Sequence, residues 1–257
     1  MRILVKLGGT LLDAPASRAR LARELAAVQS QGVELVVVHG GGKQMTRFLA
    51  ERGVESRFVE GLRVTTPEVL DAVLKVFAGS VNHELVAAFV AAGAQAVGLS
   101  GIDAALAEAE QMRPELGAVG RIVRANAGLL RLLTAHAYLP VVACVAGDRD
   151  GRIYNVNADQ MAVACAAGFA ADKLFFLTDV DGVRGADGTV VPCLTPEDAN
   201  RLIAGAVATG GMQAKLTAAV DGLRKGVGEV VIGPGDRPGI VQRLLDREAA
   251  GSRLVAG

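Results

Sequence analysis

The chain has 257 residues, 27 basic and 27 acidic side chains, 51% hydrophobic residues and 4% aromatic ones. That length buries one substantial core and suits either a single large α/β unit or two fused lobes. The balanced charge leaves no global field to draw the protein onto nucleic acid or an anionic membrane, and no basic cluster replaces it, so the expected partner is a small molecule.

The opening "MRILVKLGG" reaches polar and glycine residues too soon for a signal peptide, and no apolar run approaches the length that crosses a bilayer. A cytoplasmic protein is expected. "RILVKL" predicts a strand, Leu21, Leu25 and Val28 fall at helical spacing, and "VELVVV" after Gly32 predicts a second strand. Strand, helix, strand in this rhythm implies a parallel sheet with crossover helices. Thr66 and Pro67, a cap residue and a first-turn proline, open a helix that buries Val69, Val73, Val76 and Phe77 and stops near Gly93.

"AVGLS" predicts the next strand, and the glycines and short apolar pairs between Asp103 and Asn126 predict hairpins. "YLPVVACVA" reads as a buried strand, "GDRDGR" as a turn between strands, and Asp159 to about Gly168 as a helix of small residues. After the strand "KLFFLTD", "GADGTVV" signals a further hairpin, Thr195-Pro196-Glu197 caps a helix, Met212 to Lys225 forms another, and "VGEVVIG" is expected to close the sheet. Composition shifts only modestly near residue 170. A lobe boundary there, giving 1–170 and 171–257, follows from function and not from a linker.

Cys144, Cys165 and Cys193 are odd in number, widely spaced and without a CxxC pair, which predicts buried free thiols. His39, His83 and His136 are too scattered for a metal cluster. Glycine and carboxamide residues gather instead at strand ends, in "KLGGT", "HGGG", "GLSG" and "TDVDG", where an open α/β sheet builds its sites. Such a glycine either turns the chain or brings backbone N–H groups close to an anion. "HGGGKQ" lacks the first glycine and the hydroxyl of a Walker A loop, so Lys43 is no P-loop lysine. No G-x-G-x-x-G follows the first strand, and Ile102 replaces the last glycine of a nucleophile elbow in "GLSGI".

Lys6 lies inside the apolar first strand, and Lys215 follows "TGGM" at the start of a helix. A buried ammonium requires an anionic partner; otherwise Lys6 points to solvent. In "YNVNADQM", Asp159 is either that partner or a helix cap, with Asn155 and Asn157 on alternate positions before it. Arg63 in "EGLRVTT" offers a planar fork for a carboxylate or is a solvated charge.

In chain order, "KLGG", "VHGGG", "GLRVT", "NVNAD", "TDVDGV" and "GGMQAK" resemble the amino acid kinase family over nearly the full chain. The resemblance implies an α/β fold, a three-layer αβα sandwich around an open, mainly parallel sheet. It also implies ATP-dependent phosphorylation of the side-chain carboxylate of N-acetyl-L-glutamate, in arginine biosynthesis. By it, Lys6 and Lys215 stabilise the phosphoryl group in transit and Asp159 orients both. Gly41, Gly42, Arg63, Asn155 and Asn157 bind the acylated amino acid within the first lobe, which also carries a dimer interface. Gly8 and Gly9 meet the terminal phosphate, and Asp179, Val180, Asp181, Gly182, Val183 and Arg184 with Val207, Ala208 and Thr209 cradle ATP in the second.

Magnesium is expected to be held by ATP phosphates and water, with no protein metal site. Lys43 stands where family members often carry proline, and "SGIDAALAEAE" matches the family hairpin loosely. Because the chain starts at its first strand, without the helix that interlocks arginine-inhibited hexamers, a homodimer insensitive to arginine is expected. Two other functions compete: a kinase for carrier-linked aminoadipate in lysine synthesis, and a non-catalytic nucleotide sensor. "NVNAD" speaks against the first and the two lysines with Asp159 against the second.

Overall fold

The computed structural model describes residues 1–248 and 250–256. β1 (Arg2–Leu7) passes through a 3-10 turn (Gly9–Leu12) into α1 (Pro15–Ser30), and β2 (Glu34–His39) leads into α2 (Gly42–Ala50). A ribbon of β3 (Phe58–Val59) and β4 (Leu62–Arg63) precedes one long helix: α3 (Pro67–Val73), a π-helical stretch (Leu74–Val81) and α4 (Asn82–Ala91). Then follow β5 (Gln95–Ser100), β6 (Ala107–Gln111), β7 (Val119–Ala125), α5 (Gly128–Ala135), β8 (Tyr138–Ala143), β9 (Val145–Gly147), β10 (Ile153–Val156) and α6 (Ala158–Phe169). The remainder is β11 (Lys173–Thr178), β12 (Cys193–Leu194), α7 (Pro196–Ala204), α8 (Gly210–Arg224), β13 (Glu229–Pro234), α9 (Ile240–Leu245) and β14 (Ser252–Val255).

The main sheet has the order β12-β14-β13-β11-β1-β2-β8-β5, and only the β13–β14 pair is antiparallel. In β1, Leu4 and Val5 are both fully buried. Successive strand residues point to opposite faces, so both faces of this strand are covered by helices, as an all-apolar strand requires. "VGEVVIG" does not close the sheet: β14 and β12 lie beyond it. These two strands are short and end a chain of loops, which left little periodicity to detect. Cys193, expected to be buried, is exposed because β12 is the edge strand, while Cys144 and Cys165 are buried as expected and burial pushes their thiols up to about 12.

The segment between Asp103 and Asn126 forms the β6–β7 hairpin, which joins β9 and β10 in a small closed barrel above the main sheet's β5–β8 side. The helix from Thr66 is capped as expected, Thr66 Oγ1 accepting from Val69 N. Its full span, Pro67–Ala91, meets the length and mean hydropathy of a membrane-crossing helix, although Asp71, Lys75 and Glu84 interrupt its apolar run. Here Val69, Val73, Val76, Phe77, Val81, Leu85 and Phe89 face the core.

Since β1, β2, β5, β8, β11 and β13 run in one direction, the glycine-bearing loops after them share one edge of the sheet. His39 anchors that edge. Its Nε2 accepts from the Asn82 amide at 2.9 Å, which leaves Nδ1 as the donor to Gly40 O at 2.8 Å; Asn82 also donates to Val141 O. Complete burial lowers the His39 pKa from 6.5 to about 4, partly offset by the bond to Gly40.

The folded state therefore refuses a proton that the unfolded chain accepts, so stability present above pH 6.5 is lost as pH falls towards 4, by about 3 kcal/mol in full. Denaturant midpoints measured from pH 7.5 to 4.5 should fall in the parent. His39→Gln, weaker throughout, should lose less over that window; parallel losses would remove His39 as the cause.

Candidate active site

Three elements deliver three charges to one point. β1 carries Lys6, the first turn of α6 carries Asp159, and α8 carries Lys215. Lys6 Nζ stands 2.7 Å from Asp159 Oδ1, and Lys215 Nζ 3.9 Å from Oδ2. The Lys6 contact is ionic and not a directed hydrogen bond, since Oδ1 has no hydrogen-bond partner. Lys6 and Asp159 are only 7% and 6% exposed. Removing such ions from water costs several kcal/mol each unless they are paired, and here one carboxylate serves two ammonium groups. The trio by itself carries one positive charge in excess, with Asp179 the next carboxylate to act on Lys215. Burial lowers the Lys215 pKa, Asp159 opposes that shift, and Lys6 adds to it.

Asp159 is thus a partner and not the cap. Asn157 takes the cap, its Oδ1 accepting from the backbone N–H of Asp159 and Gln160. Asn155, two residues earlier on β10, donates its amide to Thr65 Oγ1 at 3.0 Å. The Asn-x-Asn spacing divides the work: one side chain builds the helix start, the other reaches the segment after β4.

A cleft of about 630 Å³ is lined by Gly9, Thr10, Gly42, Lys43, Thr46 and Arg63, among others. Gly41 is tightly packed, because a Cβ there would come within 2.8 Å of the Phe77 ring, whereas a Cβ on Gly42 would meet open space. α2 begins here with no side-chain cap and no acidic residue in its first turn. Its first N–H groups and the positive end of its dipole are free to receive an anion. Arg63 faces the same cleft. It donates to Thr46 Oγ1 at 2.8 Å, to Gly42 O at 3.3 Å and to Ser56 Oγ, and lies over the Phe58 ring at 4.6 Å.

Gly8 closes the C-terminal end of β1 by donating to Leu177 O at 2.9 Å. A Cβ on Gly9 would stand 3.4 Å from Gly42 N, so the first and second glycine loops touch. Beyond β11, burial would raise the Asp179 pKa, but hydrogen bonds from its own backbone, Thr178 and Thr10, with the charge of Lys43, hold it below the ordinary range. Val180 and Arg184 are exposed on this loop, and Asp181 pairs with Arg237. Val183 is not brought to the surface: its N–H goes to Ser252 Oγ at 2.8 Å and its side chain is buried. Gly182 packs so tightly against Ser252 and Val190 that a Cβ would collide with both. Val207 and Thr209 are exposed before α8, while the side chain of Ala208 is buried.

Several neighbours gave no signal in the sequence. Gln44 donates to Gly9 O at 3.3 Å and to Asp13 Oδ1 at 3.4 Å, and thereby ties α2 to the 3-10 turn. Thr10, Thr46, Ser56 and Thr65 act similarly. Lone hydroxyls and amides in loops have no periodicity, and only "HGGGKQ", with a polar pair after its glycines, marked one of them. Ser100 donates to Asp103 Oδ2 at 2.9 Å, in keeping with the missing nucleophile elbow.

Residues 1–234 match the amino acid kinase family. The chain is 64% identical over 255 residues, 99% of each chain, to a protein of Solibacter usitatus named acetylglutamate kinase. It is 43% identical, over all of both chains, to an acetylglutamate kinase of Acidobacterium capsulatum. Among solved structures, N-acetylglutamate synthase from Neisseria gonorrhoeae, complexed with coenzyme A and N-acetyl-glutamate, matches the whole chain with a TM-score of 0.89 and 25% identity; the match covers 59% of that protein.

Asp159→Asn should leave two facing ammonium groups without a counter-charge. The expected loss is about 3 kcal/mol of stability, read from denaturant unfolding, and adding Lys6→Met should restore part of it. A neutral single substitution would show that the pair contributes nothing net.

Proposed function

The chain belongs to the amino acid kinase family, and from that premise we propose that it transfers the γ-phosphoryl group of ATP to the side-chain carboxylate of N-acetyl-L-glutamate. The product is N-acetyl-L-glutamyl 5-phosphate, an intermediate of arginine biosynthesis. The full-length identity of 64% to an acetylglutamate kinase carries this reading.

The chemistry needs no general base. A carboxylate is already a nucleophile at neutral pH; its oxygen forms the new bond to the γ-phosphorus while the bond to the bridging oxygen of ADP breaks. Charge spreads over the transferring group, and positioned cations and N–H donors supply the stabilisation. We assign that task to Lys6 and Lys215, held in register by Asp159, with Gly8 and Gly9 facing the terminal phosphate. We assign the acceptor to Gly41, Gly42, Arg63 and Asn155, with Asn157 shaping the start of α6. ATP lies along residues 179–184 and 207–209, with Gly182, Val183 and Ala208 contributing shape, since their surroundings are tightly packed.

Among the described residues no three His, Cys, Asp or Glu side chains converge on a metal position. Asp159 faces two lysines, and Asp179 is engaged by Thr10 and Thr178. We propose that Mg²⁺ would enter with the nucleotide, held mainly by its phosphates and water. Residues 1–170 then form the lobe for the acylated amino acid, and 171–257 the lobe for ATP, working in the cytoplasm. We also propose a homodimer through the first lobe. β5 ends the main sheet, and beside it Val90 and Tyr138 are 56% and 38% exposed.

Coupled ADP release, with N-acetyl-L-glutamate, glutamate, N-acetylaminoadipate and aspartate offered separately, should show turnover with the first. Preference for the longer acid would favour a lysine-pathway kinase, and no turnover with any would favour a nucleotide-binding role. Light scattering should give twice the mass of one chain; a monomer or a hexamer would overturn the dimer.

A further inference from the structure

Lys43 is the second residue of α2, exposed, and part of the lining of the acceptor cleft. A cation is poorly placed there. The exposed N–H groups of a first helical turn already make the positive end of the helix dipole, and this turn has no acidic residue to offset them. The other two cations of the cleft have partners: Arg47 pairs with Asp13 at 3.3 Å, and Arg63 is held by Thr46, Ser56 and the Gly42 carbonyl. Among the described residues no carboxylate lies within 4.0 Å of the Lys43 ammonium. The carboxylate that does feel its charge is Asp179, at the end of β11, which also feels Lys215. Lys43 lines the same cleft as Gly9 and Thr10, and Gly9 packs against Gly42, the residue before it, so Lys43 starts where the first and second glycine loops meet.

We propose that Lys43 is a further catalytic residue, whose ammonium touches the reacting anions and screens the repulsion between the acceptor carboxylate and the γ-phosphate as they approach. This rests on the kinase reading above. The transfer itself is unchanged: the carboxylate oxygen bonds to phosphorus, ADP departs with the bridging oxygen, and Lys43 keeps its protons throughout. Its location explains why a residue unfavourable for the helix occupies the first turn. With both substrates bound, two anions would stand beside a cation that has no carboxylate within 4.0 Å among the described residues.

The test compares Lys43→Ala, Lys43→Glu and Lys43→Arg with the parent, in steady-state kinetics at low ionic strength and in denaturant unfolding. Loss of one charge-assisted contact predicts a fall in kcat/KM for the acceptor of about tenfold to a hundredfold in the alanine variant. The glutamate variant should fall further, and the arginine variant should stay near the parent. Stability should move the other way, with Lys43→Glu at least as stable as the parent, because a carboxylate suits a helix N-terminus. An alanine variant within about twofold of the parent, or activity that falls only in step with stability, would overturn the proposal. If the parent turns over no acceptor, the kinase reading fails. Lys43 is then judged by inorganic phosphate, whose protection against unfolding should weaken in Lys43→Ala; equal protection of both proteins would overturn it.

Discussion

One carboxylate between two ammonium groups is the constraint on which the site depends. Lys6 belongs to a strand buried at five of its six residues, and a hydrophobic strand tolerates an ammonium only beside an anion. Asp159 meets that need from the start of α6, where a negative charge is also favoured by the helix dipole. Lys215 then approaches the second oxygen from α8, and the trio is left one positive charge in excess. A structural ion pair would stop at neutrality. An excess charge, preorganised and partly shielded from water, is suited to a group whose negative charge grows and spreads during transfer.

The same sheet edge aligns the other participants. Parallel strands bring their C-terminal loops together, and two of those loops touch at Gly9 and Gly42. The turn we assign to the donor phosphate and the helix start we assign to the acceptor are thus neighbours by backbone contact. Gln44 adds a side-chain tie between them, and His39 with Asn82 fixes the carbonyl of Gly40 from below. Positioning on this scale supplies much of the rate in phosphoryl transfer, where the protein has little covalent chemistry to perform.

Much of this was legible in the sequence, for physical reasons that differ by element. β1, β2, β8 and β11 are buried on both faces and read as apolar runs; Thr66-Pro67 and Thr195-Pro196 announced their helices through capping chemistry, and the latter forms a full capping box with Asp198. Lys6 stood out because charge inside such a run is anomalous. The cap was left open between two adequate candidates: Asn157 and Asp159 both suit a helix start, and only the position of Lys6 in space decides between them. α2, α5 and α9 went unread because each is short, and the edge strand β12 and its neighbour β14 because two or four residues show no periodicity. Val183 lies in the motif we assign to ATP, yet its side chain serves the core, which no motif distinguishes from a contact.

The charge trio makes a claim about when its interactions act, and kinetics resolves that most directly. Lys6→Ala and Lys215→Ala, each compared with the parent for turnover and for ATP affinity, separate ground-state binding from stabilisation of the group in transit. Turnover should fall far more than affinity in both variants. Equal losses in turnover and affinity would contradict the account and reduce the two lysines to ligands for the nucleotide.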